Sequence, residues 1–378
     1  VKMNTCTSRR HTMRPEIASK LDTDRACDMW DHFWAGDMLK RPIVLAQASK
    51  DPGRPAAQRE DETDTPYYNA VTGNFERELK HIDEILENTL YLGEWIPSFK
   101  PDLGPDQFAS IVGGNPLQFS ESSYRTNWVE PAVESLEDFH PVFDENNPTW
   151  KSLVTYTKLL REHGKGRYVV SAIDFHTHAD GLSALRGPQN LCIDFMDIPD
   201  LAERAIRECG KLFPLMYDKL YEAGEMDRTG TSCWIPLWCE DRYATIQCDF
   251  LCLVGPDIGR KYIIPAIEQE ASFLDHCIFH LDGAGSLVHL DSLLAVSEID
   301  AIQWVPGAGQ KPMHTWTEVL TACQSAGKKL IIYCGSREPL EIMKTVLRDL
   351  SPEGLIFSLG ADTREEVEAV LAWLENNT

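Results

Sequence analysis

Asp174-Phe-His-Thr-His-Ala-Asp180 sets two histidines at i and i+2 between two aspartates. At a strand end that spacing sends both rings to one side, where they can grip a single metal ion. A second group, Phe279-His280-Leu281-Asp282-Gly283-Ala284-Gly285, pairs an imidazole with a carboxylate at the same spacing. Such a pair can hold a divalent metal or act as acid and base, and the glycines let backbone approach a ligand closely. His280 and Asp282 are therefore candidates for both roles. Asp174, His176 and Asp249, the last within Ile246-Gln-Cys-Asp-Phe250, are candidate acid–base or orienting groups.

Cys233, Cys239, Cys248 and Cys252 crowd one stretch without a Cys-x-x-Cys spacing, so buried thiols are expected there rather than a zinc knuckle. Cys334 closes an apolar run and is the thiol placed to reach a site at that run's end. Asp300 to Gln310 ends a strand in a Gly- and Pro-rich turn that can cradle an anion or serve as a tight loop.

The chain that must position these groups has 378 residues, 43% hydrophobic and 25% charged, the balance of a protein that buries a core. A net charge of −23 repels phosphate backbones and anionic lipid, so nucleic-acid and membrane-surface roles are not expected. No apolar run reaches the roughly 18–20 residues that span a bilayer. Val1 to Arg10 is polar and lacks the apolar stretch of a signal peptide. Eleven scattered cysteines, an odd number, suit a reducing cytosol better than a disulfide framework. Ten Trp and eleven Tyr supply either core packing or an aromatic-lined pocket.

Helix is predicted over Ile17 to Trp34, over Phe75 to about Leu92 with Asn74 as N-cap, and over Trp150 to about His163. Residues 48–66, rich in Pro, Asp and Glu, read as a long loop. Strands are predicted near 43 and 116 and at Tyr168, Cys233, Cys277, Asp300, Lys329 and Gly354. The last four starts, at 277, 300, 329 and 354, have the spacing of strand–helix units. Continuous apolar strands separated by helices imply a parallel sheet covered on both faces. Eight such units predict a single-domain α/β fold, a (β/α)8 TIM barrel, with residues 1–40 as a helical extension and 41–378 as the barrel. No Gly-x-Gly-x-x-Gly follows these strands, which argues against a dinucleotide-binding sheet.

In a barrel the site gathers at the C-terminal strand ends. That rule adds His178, Trp238, Trp304 and Tyr333 as candidate substrate-binding residues. A His-x-His on a barrel also suggests a metal-dependent hydrolase of the amidohydrolase type. Here, however, the pair follows the third expected strand and the sixth ends without a histidine.

These motifs resemble the uroporphyrinogen decarboxylase superfamily, which also contains corrinoid-dependent methyltransferases. The resemblance covers most of the chain and is best from about residue 165 onward. It rests on Ala179-Asp-Gly-Leu-Ser-Ala-Leu-Arg-Gly-Pro-Gln-Asn-Leu191 followed by Asp194-Phe-Met-Asp-Ile-Pro-Asp-Leu201. His280 through Gln310, with Trp34 and Arg41-Pro42, is similar to a subgroup labelled trimethylamine corrinoid protein, a barrel without its own corrinoid domain. The resemblance implies a cytosolic enzyme, often a homodimer. It would move a methyl group from a small methylated substrate to a corrinoid on another protein, or to a folate-type acceptor. It further implies zinc at the position of the methyltransferases' His-x-Cys, here His280-Leu281-Asp282. Cys334 would stand in for an eighth-strand cysteine that Phe357-Ser358-Leu359-Gly360 lacks. Arg9-Arg10 and Arg14-Pro15 do not reproduce the decarboxylases' Arg-rich motif, so a many-carboxylate porphyrinogen would be poorly received. Cofactor-free decarboxylation of a tetrapyrrole or another carboxylated substrate is the alternative, followed by a corrinoid-binding protein and a metal-dependent hydrolase.

Overall fold

The computed structural model describes residues 14–51, 64–123 and 125–378. The 48–66 loop expected from composition lies largely outside them, as do Val1 to Arg10. The strands are β1 (Ile43–Ser49), β2 (Thr89–Gly93), β3 (Ser98–Phe99), β4 (Gln118–Ser120), β5 (Thr126–Trp128), β6 (Val169–Val170), β7 (Tyr243–Gln247), β8 (His276–Asp282), β9 (Ala301–Val305), β10 (Lys329–Gly335) and β11 (Leu355–Ala361), of which β1 and β7 through β11 are apolar runs. The fold is mixed α/β around a parallel central sheet. Seven strands pair in the order β2-β1-β11-β10-β9-β8-β7, with β2 alone antiparallel, and β3 pairs parallel with β6. Helices such as Pro148–Gly164, Ile264–Phe273, Pro339–Asp349 and Arg364–Asn377 connect or follow these strands. The last starts at a Thr363–Glu366 capping box.

Two strand positions differ from expectation. The segment near 116 forms the short antiparallel pair β4–β5 outside the central sheet, while the unexpected two-residue β3 pairs with β6. Cys233 to Trp238 is irregular, held by an isolated bridge between Thr231 and Cys239, and the strand follows it at Tyr243. The helix predicted to about Leu92 stops at Asn88, where Thr89-Leu-Tyr-Leu turns into β2. Asn74 stands at its N-cap position without a side-chain cap bond. Gly93 ends β2 at φ 61°, where a Cβ would lie 2.2 Å from the Val44 carbonyl oxygen, so only glycine lets β2 lie this close to β1.

The period of two sorts β1, β6 and β7 through β11 between two apolar clusters. Val44, Val170, Ile246, Phe279, Ile332 and Phe357 belong to the larger one, packed under the helices. Their neighbours of opposite parity, Ile43, Tyr243, Ile278, Ala301, Ile331 and Ile356, form a smaller cluster, which Val169 of the β3–β6 pair also joins. The helix α1 (Thr23–Ala35) covers this second cluster at the strands' N-terminal ends with Trp30, Phe33 and Trp34. The Trp30 Nε1–H donates to the Glu94 carbonyl and the Trp34 Nε1–H to the Trp238 carbonyl, each at 2.8 Å. Beside them Arg41 grips Glu94 with two bonds of 2.8 and 2.9 Å. One end of the smaller cluster is thus plugged, and the other is left for chemistry.

Candidate functional site

At the C-terminal strand ends a cavity of about 430 Å³ opens, lined by residues that follow β3, β6 and β7. Lys100 and Asp102 follow β3 and form an ion pair of 2.6 Å. Burial pushes the Asp102 carboxyl up, but the Lys100 ammonium outweighs it and holds the group below its usual value. The Asp102 charge in turn raises the Tyr67 phenol to about 12.

Asp174 and His176 follow β6. Asp174 Oδ1 accepts the His176 backbone N–H at 3.1 Å, and Oδ2 accepts the Trp234 indole N–H at 3.4 Å. The Gln247 amide meets His176 Nδ1 at 3.3 Å, which leaves Nε2 to face Asp174 Oδ2 at 3.5 Å. Burial lowers the His176 pKa, yet the charges of Asp174, Asp180, Asp249 and Asp102 outweigh it and raise the group above 6.5. The ring is 20% exposed, so it is both charged readily and reachable. His176 and His178 have φ of 50° and 52°, left-handed backbone that is uncommon for non-glycine residues. The turn is pinned from the side by Asp180, whose carboxylate accepts the backbone N–H groups of Asp249 and Phe250 at 3.0 and 2.9 Å. Burial raises both Asp180 and Asp249, and the two carboxyls repel each other's charge.

His280 lies across the mouth on β8, with the Trp234 ring edge-on at 4.9 Å. Its Nδ1–H is bonded to Gln303 Oε1, and Gln303 Nε2 to the Tyr333 hydroxyl. Asp282 shares the β8 face of His280, and both act electrostatically on Asp249.

Of the expected residues Asp174, His176 and Asp249 line the cavity; His280 and Asp282 stand outside its lining, His280 against the wall residue Trp234, and Tyr333 is linked to His280 through Gln303. His178 does not line the cavity. It is buried beneath it, with Nδ1 accepting the Ala179 N–H at 2.8 Å and Nε2 3.6 Å from Glu270, and burial drives its pKa down to about 3. Trp238 precedes β7 instead of ending a strand, and its indole N–H is tied to the Thr229 carbonyl at 3.0 Å in the plugged end. Trp304 has the parity of the helix-packed face, where it meets Trp316 at 5.3 Å. Cys334 also has that parity: it is buried, and its thiol is pushed up to about 12.

The proposed metal set fails on the same ground, because His280 and Asp282 lie on one sheet face and Cys334 on the other. Among the described residues no three His, Cys, Asp or Glu side chains group as a metal centre requires. Sequence reasoning missed Lys100, Asp102, Tyr67, Trp234, Gln247 and Gln303. A recognised strand at Ser98 would have exposed the first two, and strand parity the glutamines.

No protein-family model matches the chain, and no curated protein matches it. Among solved structures, the crystal structure of macrophomate synthase is similar at 12% identity, over 58% of this chain and 80% of that one, with a TM-score of 0.23.

Proposed function

We propose that this chain is a methyl-transferring enzyme of the uroporphyrinogen decarboxylase-like kind, with a closed (β/α)8 barrel and a small methylated amine as its donor. Closure is supported by the smaller cluster, to which the β3–β6 pair and the seven-stranded sheet both contribute side chains of one parity. The eight parallel strands would then be β1, β3, β6 and β7 through β11.

The donor class is carried by one observation: the balance of charge and aromatic surface in the 430 Å³ cavity. Asp102, Asp174 and Asp249 line it against Lys100, which Asp102 already neutralises, and His176, which faces Asp174 at 3.5 Å. Tyr67, Trp128 and Trp234 add aromatic surface. Carboxylates with aromatic faces suit a methylated ammonium group, each ring contributing roughly 0.5–2 kcal/mol. A carboxylated substrate would meet the Asp174 and Asp249 carboxylates, with the Lys100 ammonium already taken by Asp102, which disfavours the decarboxylase alternative. In this reading Trp234 and Asp174 hold the donor, and His176 and Asp249 handle protons beside it. The acceptor is a nucleophile; the family resemblance implies a partner-held corrinoid or a folate-type molecule, but nothing in the lining of the donor cavity selects either. His280, Asp282 and Cys334 do not converge and so do not fit a zinc ion.

Calorimetric titration with tetramethylammonium and with acetate tests the reading. Tetramethylammonium should bind, and Trp234→Leu should weaken it roughly 2- to 30-fold. Acetate binding with no binding of tetramethylammonium would refute it.

A further inference from the structure

A second cavity, of about 450 Å³, adjoins the first, and Pro105, Trp128, His176 and Asp249 line both. Its remaining wall is largely apolar, built from residues such as Phe108, Ala184, Pro188, Phe250 and Leu253, with Leu253 57% exposed at the mouth. Among the described residues no Lys or Arg lines it. Its carboxylates are engaged in holding backbone: Asp106 Oδ2 accepts the Val129 N–H at 3.0 Å, and Asp180 accepts the two amides that open the 249–253 turn. The reactive pair His176 and Asp249 therefore stands at the partition between a polar chamber and an apolar one.

We infer that the second cavity binds the methyl acceptor together with the donor, and that this acceptor is a small, uncharged, largely apolar nucleophile of about aromatic-ring size. The inference rests on the methylated-amine reading of the first cavity. An anionic acceptor would bury its charge against Asp106, Asp180 and Asp249, and the His176 imidazolium that could receive it already stands among the carboxylates of Asp174, Asp180, Asp249 and Asp102, which is unfavourable. That excludes the carboxylate tail of a folate-type molecule from this chamber. The volume falls in the range of pockets that enclose small ligands.

The chemistry balances at the partition. The acceptor's heteroatom attacks the methyl carbon, a new bond to that carbon forms, and the carbon–nitrogen bond breaks with its electron pair leaving on the amine. A neutral acceptor starts with a proton on the attacking atom, and that proton passes to the Asp249 carboxylate or to His176. An acid–base pair shared by both cavities is what a protonated nucleophile requires and what an already anionic one would not.

The test is binding to the full chain by calorimetry, with tetramethylammonium as donor probe, benzyl alcohol as acceptor probe and benzoate as its anionic counterpart. Tetramethylammonium and benzyl alcohol should bind simultaneously, the affinity of each within about twofold at saturation of the other, and benzoate should bind about tenfold or more weakly. Ala184→Trp should weaken benzyl alcohol about tenfold or more and leave tetramethylammonium unchanged. Should that variant fail to fold, Leu253→Arg at the exposed mouth supplies the missing cation and should strengthen benzoate about fivefold or more. Mutual exclusion of the two probes, or benzoate binding as well as benzyl alcohol, would overturn the inference. Benzyl alcohol binding without tetramethylammonium binding would overturn the donor reading and support the second cavity alone.

Discussion

Glu270 and His178 lie beneath the site as a buried pair, and together they should give the protein a stability optimum in mildly acidic solution. Glu270 Oε2 accepts the Thr177 hydroxyl and lies 3.6 Å from His178 Nε2, with both side chains at most 2% exposed. Burial raises Glu270 from 4.5 to about 8 and lowers His178 from 6.5 to about 3. Between pH 4.5 and 8 the unfolded chain has lost the Glu270 proton that the folded chain keeps, so stability falls as pH rises. Between pH 6.5 and 3 the unfolded chain holds a His178 proton that the folded chain refuses, so stability falls as pH falls. The two slopes cancel from 4.5 to 6.5 and leave a plateau, with a loss on either side.

Glu270→Gln keeps an acceptor for Thr177 and removes the alkaline slope. Three pH units at ~1.4 kcal/mol each give a variant that gains about 4 kcal/mol on the wild type between pH 5 and pH 8. Urea unfolding of both proteins at half-unit pH steps measures the difference directly, and comparing the two cancels other titrating groups. Curves that stay parallel within about 1 kcal/mol would mean that Glu270 is ionised in the folded chain, and the burial argument would be wrong. Because a neutral pair and an ion pair hold the same single proton, the nitrogen chemical shifts of His178 are needed to tell them apart.

Two further expectations follow from charges already placed. Glu94→Ala should cost about 3–5 kcal/mol, read by thermal unfolding, because it leaves the buried Arg41 with the Pro42 carbonyl at 2.9 Å and a Glu375 carboxylate 3.8 Å away. Tetramethylammonium affinity should be unchanged in that variant, since the pair lies at the plugged end. Lys100→Met should instead tighten tetramethylammonium by about 3- to 10-fold in alkaline solution, where Asp102 without its partner stays ionised, and the gain should fade as the pH falls, because burial then pushes the Asp102 carboxyl up unopposed. Weaker binding in that variant would show that Lys100 helps to hold the ligand.

The strands expected from 277, 300, 329 and 354 are found at His276–Asp282, Ala301–Val305, Lys329–Gly335 and Leu355–Ala361. Each carries a continuous apolar run buried on both faces, a signal that survives without any knowledge of neighbours. The errors lie where that signal is weak or misleading. Ser98-Phe99 is a strand through its pairing with Val169-Val170 and has almost no apolar character of its own. Cys233-Trp-Ile-Pro-Leu-Trp has the apolar character but crosses the plugged end as irregular chain, with Ile235 and Leu237 buried in the smaller cluster. Misplacing those two segments hid Lys100 and Asp102 and promoted Trp238. Asp249 owes its place in the site to Tyr243–Gln247, a strand that the sequence pattern puts at Cys233 instead.

Parity accounts for the rest, and it changes what the His280 motif means. Trp304 and Cys334 end strands as a rim residue should, yet each is one position out of phase with the side chains that face the site. In phase with the site are Gln303, opposite His280 in the β8–β9 register, and Tyr333 on β10. The spacing His280-x-Asp282 suggests that the imidazole works with the carboxylate two places on. In the folded chain its Nδ1–H is taken by Gln303, which is held in turn by Tyr333. That chain fixes the ring's orientation and turns Nε2 away from Gln303, so His280 presents that nitrogen beside Trp234. Its partners come from adjacent strands separated by 23 and 30 residues. A motif read along the sequence sees only neighbours two residues away, whereas a parallel sheet places the next functional group a whole strand–helix unit later.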